Sequence, residues 1–350
     1  MMTTRALILG SVVFAATSLS GAAQDAELLV FDWAGFENPG LHTAYQAKYG
    51  GLPTWSFYAD DDEAFQKVSS GFKPDVTHPC SQMVGKYRDA GLIEPWDTTR
   101  IAAFGAIDPA LMASPVFADD TGTWFLPTDW ASTAIAYNAD EVAAEAVASL
   151  QVFTDPKYEG RVSIADNTDD AWALALLATG VSDWTNLTEG QFTAAADWMR
   201  KAHVNVRAYW ADPSELAQLM ASGEVLIAWS WPDAVTQLRS DGYNIGFQRE
   251  AVEGSSAFLC GFIDMKDGPG SEDKVYDFMN GWYEPVSAVT LLNDFGYSSS
   301  VPKNMEQFGT EVLATAGLGP LTVPVLNQLP IPGDMRGRMQ EEFEKIKAGF

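Results

Sequence analysis

The chain has 350 residues, 47% hydrophobic and 12% aromatic, with 21 Lys and Arg against 47 Asp and Glu, a formal net charge of −26 at pH 7. So acidic a balance excludes a binder of nucleic acid or of an anionic membrane surface, which carry the same sign. The length exceeds what one core usually organises, so two domains are expected.

Residues 1–23 read as an export signal. Arg5 supplies the positive start, Ala6 to Leu19 an apolar run thinned by Gly10 and serines, and Gly21-Ala22-Ala23 the small residues for cleavage. The run is shorter than the roughly 20 strongly apolar residues of a membrane span, and no later stretch is apolar for longer, so no stable membrane insertion is expected. Cys80 and Cys260 therefore reach an oxidising compartment where a disulfide is permitted. Spacing alone leaves two free buried thiols as the alternative.

Leu28 to Phe31 is a short apolar strand, followed by a Gly/Pro-containing loop and a helical stretch from about Asn38 or Pro39. Asp75 to Thr77 is a second strand, with a helix over Gln82 to Ala90. Val162 to Ala165 leads into a helix over about Asp169 to Leu177. Glu224 to Trp229 is a further apolar strand, and Pro232 opens a helix reaching Arg239, a position that suits proline. A charged helix over Met335 to Lys347 closes the chain. The alternation implies an α/β architecture. No long linker separates two domains, so the chain is expected to cross between them more than once.

Several stretches then carry a resemblance. They are Phe31 to Phe36 continued by Asn38 to Leu41; Pro74 to Val76 with His78-Pro79-Cys80-Ser81; Ala90 to Pro95; Phe125-Leu126-Pro127 with Trp130 to Ile135; Phe153 to Ala165 with Pro156, Tyr158 and Gly160; Phe295-Gly296-Tyr297; and Lys345 to Gly349. In order and spacing they resemble the bacterial spermidine/putrescine-binding proteins over nearly the whole chain after the signal. The resemblance implies a two-lobed type II periplasmic-binding fold with a ligand cleft between the lobes. Lobe one would comprise residues 24–130 plus 257–350, and lobe two 131–256. It further implies a periplasmic, monomeric subunit of an ABC importer, which closes on a small organic cation and shows the closed form to the permease. Neither a cofactor nor chemistry on the solute is expected.

On this resemblance Trp33, Phe36 and Trp229 fall where the family places aromatic walls, with Phe258 beside them. Aromatic faces attract cations through their quadrupole. Without the resemblance such residues read as core. Trp172, Tyr209, Trp210 and Trp231 are further aromatics near these segments. The acids depart from the pattern. One family aspartate becomes Asn167, a nearby glutamate becomes Asp170, and another aspartate falls at Cys260, with Asp166, Asp169 and Asp233 as neighbours able to compensate. Tyr297, Gln82 and Gln328 match polar positions. The family topology sets Cys80 and Cys260 on adjacent strands beneath the pocket, which implies a disulfide.

An aromatic cleft with fewer acids suits a quaternary or aromatic ammonium, a betaine or another zwitterion as well as a polyamine. A metal-binding receptor is less favoured: His42, His78 and His203 are far apart in sequence, and there is no Tyr-Tyr pair. A carbohydrate-active enzyme is also less favoured, because Asp169 and Asp170 are adjacent on a helix and do not face each other across a bond.

Overall fold

The computed structural model describes residues 23–350, so the signal expected over residues 1–23 lies outside them but for Ala23. Strand β1 (Ala23–Trp33) pairs in parallel with β2 (Gly51–Tyr58) and with β3 (Val76–Thr77). Leu28, Val30 and Phe31 of β1 are fully buried. Consecutive buried residues mark a strand covered on both faces, as parallel strands usually are. Between β2 and β3, helix α1 (Asp61–Ser69) starts at Asp60, whose carboxylate accepts the N–H groups of Asp62 and Glu63 at 2.8 and 3.2 Å. The helical stretch expected from Asn38 divides into a 3-10 turn, Pro39–Leu41, and a helix, Thr43–Tyr49. His42 sits at the break, its Nε2 bonded to the Phe36 carbonyl at 2.6 Å.

Strand β4 (Leu126–Asn138) carries the chain into a second half built from β5 (Val162–Ala165), helix α2 (Thr168–Ala178), β6 (Val206–Trp210), β7 (Ile227–Ser230) and helix α3 (Pro232–Ser240). In this half β5 pairs in parallel with β6 and β7, and β7 runs antiparallel to the end of β4. Strand β8 (Ser255–Met265) brings the chain back. It lies antiparallel to the start of β4 and, further on, to β3. The register slips at Gly261, where a Cβ would lie 2.3 Å from the Leu126 carbonyl oxygen, so only glycine permits this approach. Beside the slip, Cys80 and Cys260 face each other as an antiparallel pair and are joined by a disulfide.

The halves have separate cores, one around Leu28, Tyr45, Phe262 and Trp282, the other around Ile135, Leu174, Trp172 and Trp229. The last helix, α4 (Gly333–Lys347), departs from expectation. Its Met339, Phe343 and Ile346 join the second core, and Trp172 donates its indole N–H to the Met339 carbonyl at 2.8 Å. The reason is amphipathic: these residues form an apolar stripe that α2 covers, while the charged side stays wet.

Candidate functional site: an aromatic and acidic cleft

A cavity of about 90 Å³ opens between the halves. Its walls come from the loop after β1, the start of α1, the Cys80–Gln82 turn, β4 and β8 on one side, and the first turns of α2 and α3 on the other. Every residue expected at the ligand lines it except one: Trp33, Phe36, Gln82, Asn167, Asp170, Asp233, Phe258, Tyr297 and Gln328 all do, with the Cys80–Cys260 bridge among them.

Trp229 is the correction. It is 1% exposed and packs edge-on to Phe153 inside the second core. Alternation along β7 puts Ile227 and Trp229 on that core, and the chain then leaves the strand, which carries Trp231 to the cavity. Trp231 stands edge-on to Trp33 with ring centroids 6.0 Å apart, across the two halves. Phe258 and Tyr297 continue the wall with centroids at 5.2 Å, and Phe36 stacks on Phe295 at 4.8 Å.

The acids are richer than the sequence suggests. Asp170 lies in the first turn of α2, where the helix dipole favours a negative charge. Its Oδ1 accepts from Thr133 Oγ1 at 2.8 Å and Gln328 Nε2 at 2.9 Å, and its Oδ2 from Trp231 Nε1 at 2.7 Å. Burial outweighs these bonds and pushes the carboxyl up to about 6. Asp233, in the first turn of α3, is likewise pushed by burial to about 7, against the Ala234 N–H and the Tyr297 hydroxyl that donate to it. Asn167 is spent mainly on structure, its Oδ1 capping α2 through the Asp170 N–H at 3.0 Å.

Two further carboxylates, Asp61 and Asp129, also line the cavity. Asp129 Oδ1 lies 2.9 Å from His78 Nε2, while His78 Nδ1 lies 2.8 Å from Asp32 Oδ1. With a carboxylate at each nitrogen the ring donates twice and is held as the imidazolium. Burial opposes this, but the Asp32 and Asp129 charges prevail and raise His78 to about 10. Asp129 Oδ2 has no hydrogen-bond partner among the described residues. Asp61 Oδ1 is equally unpartnered, and Oδ2 receives only 3.4 Å contacts from the Cys80 N–H and Gln82 Nε2. Burial, then Asp60 and Asp169, pushes Asp61 well above the usual carboxylate range.

Sequence reasoning missed both acids. Asp61 hides in the run Asp60-Asp61-Asp62, which reads as a solvated helix start. Asp129 carried a usable signal, since an acid between Leu126-Pro127 and Trp130-Ala131 sits in a strand whose neighbours are buried. No Lys or Arg lines the cavity among the described residues. It therefore presents aromatic faces and carboxyl groups, with no charged donor among its lining residues to receive an anion.

A family profile described as "Bacterial extracellular solute-binding protein" matches residues 41–315. The chain belongs to that family. Among curated relatives, this solute-binding protein is 25% identical to the spermidine/putrescine-binding periplasmic protein of Escherichia coli K12, over 99% of this chain and 98% of the relative. Among solved structures, a putative spermidine/putrescine ABC transporter protein from Listeria monocytogenes has a TM-score of 0.78 at 19% identity, covering 91% of this chain and 98% of its own. The PBP MotA from A. tumefaciens B6 in complex with glucopine has a TM-score of 0.73 at 17% identity, covering 92% and 99%. The solute-binding protein thus has the type II periplasmic-binding fold and is an ABC-importer binding protein related to those for polyamines. Among the described residues no helix is long and apolar enough to cross a membrane.

Proposed function

We propose that this protein is a monomeric periplasmic receptor that captures a polyamine-class cation, putrescine- or spermidine-like, delivers it to an ABC permease and does no chemistry on it. One observation carries the reading. Asp61 and Asp129, each with one buried carboxylate oxygen that has no hydrogen-bond partner among the described residues, line a cavity walled by Trp33, Trp231 and Phe258, with no Lys or Arg among its lining residues. Buried acids without partners are costly, and a ligand bearing separated ammonium groups offsets that cost at several of them. A zwitterion gains less, since its carboxylate would meet no Lys or Arg.

In this reading lobe one comprises residues 24–130 plus 257–332 and lobe two 131–256 plus α4, because α4 packs on the second core. β4 and β8, which span both lobes, act as the hinge. Tyr297 to Asp233 and Gln82 to Asp169, at 3.3 and 3.0 Å, are contacts that closure makes. A thermal-shift panel of putrescine, spermidine, betaines, aromatic ammonium compounds, amino acids and sugars tests the ligand class. A receptor of this kind gains about 2.7 kcal/mol when free diamine is ~100 times its Kd. Stabilisation by betaines alone moves the reading to quaternary ammonium, and stabilisation by sugars alone overturns it.

A further inference from the structure

A second group of carboxylates lies in the first half, on residues that take no part in the cleft. Glu94, on the two-residue strand Ile93–Glu94, pairs directly with Asp264 near the end of β8, and Glu272 opens the helix Glu272–Trp282. One carboxylate oxygen from each lies within 4.8 Å of the others. Glu94 and Glu272 are exposed, but Asp264 is only 2% exposed, and its Oδ2 has no hydrogen-bond partner among the described residues.

Of the protein's own charges near the group, Arg100 and Asp75 are engaged elsewhere, while Lys266 is not. Arg100 donates to Asp273 Oδ1 at 2.7 Å and lies over the Tyr276 ring at 3.8 Å. Lys266 lines the same depression and makes no ion pair among the described residues. Asp75, also at its edge, is occupied by the Leu29 and Gly270 N–H groups, each at 2.6 Å. Three acids thus converge, one of them buried, with no donor between them. A buried carboxylate left so is costly unless a cation meets it.

We propose that Glu94, Asp264 and Glu272 bind a hard divalent cation, calcium foremost, which ties the end of β8 and the helix Glu272–Trp282 to the strand Ile93–Glu94. All the donors are carboxylate oxygens, which suit calcium or magnesium and not the softer metals that want imidazole or thiolate. Calcium takes 6–8 oxygens at about 2.3–2.6 Å in loose geometry, so its ligand oxygens stand up to about 4.6–5.2 Å apart, and the three oxygens here, each within 4.8 Å of the others, fall inside that reach. Magnesium demands a tighter octahedron near about 2.1 Å. Three carboxylates leave positions for water, so the affinity falls in the weak range of extracellular modules, Kd about 0.1–1 mM.

The full chain is melted in chelator, in 10 mM calcium and in 10 mM magnesium, and terbium is added as a luminescent probe. Tyr276 lies one helical turn from Glu272 and Trp96 packs on Tyr276 at 5.5 Å, so both are placed to sensitise terbium bound here. Calcium raises the melting temperature by about 2–4 °C, more than magnesium does, and displaces a saturable terbium signal. Glu272→Gln and Glu94→Gln, both at exposed positions, abolish the calcium effect and the sensitised signal without changing the melting temperature in chelator. Asp264→Asn removes the same two responses. A calcium shift or terbium signal that persists in Glu272→Gln and Glu94→Gln belongs to other acids of this chain and overturns the proposal. So does the absence of any calcium-dependent shift.

Discussion

Trp231 donates its indole N–H to Asp170 Oδ2 at 2.7 Å, so one side chain builds the aromatic wall and also holds an acid of the same cavity. Trp231→Phe keeps a ring but removes the donor. It is expected to weaken diamine binding about 10-fold and to shift the pH midpoint of binding upward, because the Asp170 anion loses a charged hydrogen bond. Trp231→Ala loses the ring as well, about a further 10-fold. Calorimetric titration across pH separates the two effects, since loss of packing alone leaves the midpoint unmoved.

Binding should tighten as pH rises. Burial holds the empty carboxyls of Asp170 at about 6 and Asp233 at about 7, so part of the population is protonated near neutrality. A cation favours the ionised forms, and ligand ammonium groups near about 10 keep their charge throughout. Affinity therefore climbs from pH 5 to 8, by up to ~10-fold per pH unit for each proton released. The empty protein follows the opposite sign. Both folded values are raised above the ordinary 3.8, so the contribution of these groups to stability is full below about pH 4 and is lost as pH rises through about 6 and about 7. Melting curves without and with diamine should diverge over that window.

Arg336 of α4 bridges the two halves, donating to Asp62 in α1 and to Asp169 Oδ2 in α2 at 2.6 Å. All three side chains are buried. Removing the arginine leaves buried Asp169 with only the Gln82 amide and Asp62 with only Lys86, and breaking a buried pair typically costs about 3–5 kcal/mol. Arg336→Met is expected to lose that much in urea denaturation, and Asp62→Asn with Asp169→Asn in the same chain should recover most of it. Failure of that recovery would mean that Arg336 acts through packing.

The Cys80–Cys260 bridge closes a sequence separation of 180 residues within the first half. Constraining so long a loop in the unfolded chain stabilises by about 2–5 kcal/mol. Cys80→Ser with Cys260→Ser should lower the melting temperature by several degrees. Because the bridge lies at the cavity, the same double variant should also weaken solute binding, which a calorimetric titration reads beside the melting curve. An unchanged melting curve would contradict the structural role.

The alternation of strand and helix was legible because turn residues and helix starts are local signals. Val162–Ala165 and the helix from Pro232 follow directly from apolar runs, caps and proline. The direction of a side chain after a strand ends is not local, so Trp229 and Trp231 look alike in sequence while one fills a core and the other lines the cavity. Asp61 and Asp129 come to the same cavity from segments 68 positions apart, joined through the β1, β3 and β8 ladder. The last helix shows the same limit, since its apolar stripe is visible but the core that receives it is not.

The central claim is that the cleft binds a cation through its unpartnered acids. Calorimetric titration of spermidine and putrescine into the wild type and into Asp61→Asn tests it most directly. The account predicts one saturable site in the wild type and at least about a 10-fold loss in Asp61→Asn, from one charged hydrogen bond. Saturable binding of a neutral sugar with no heat from either amine would contradict it.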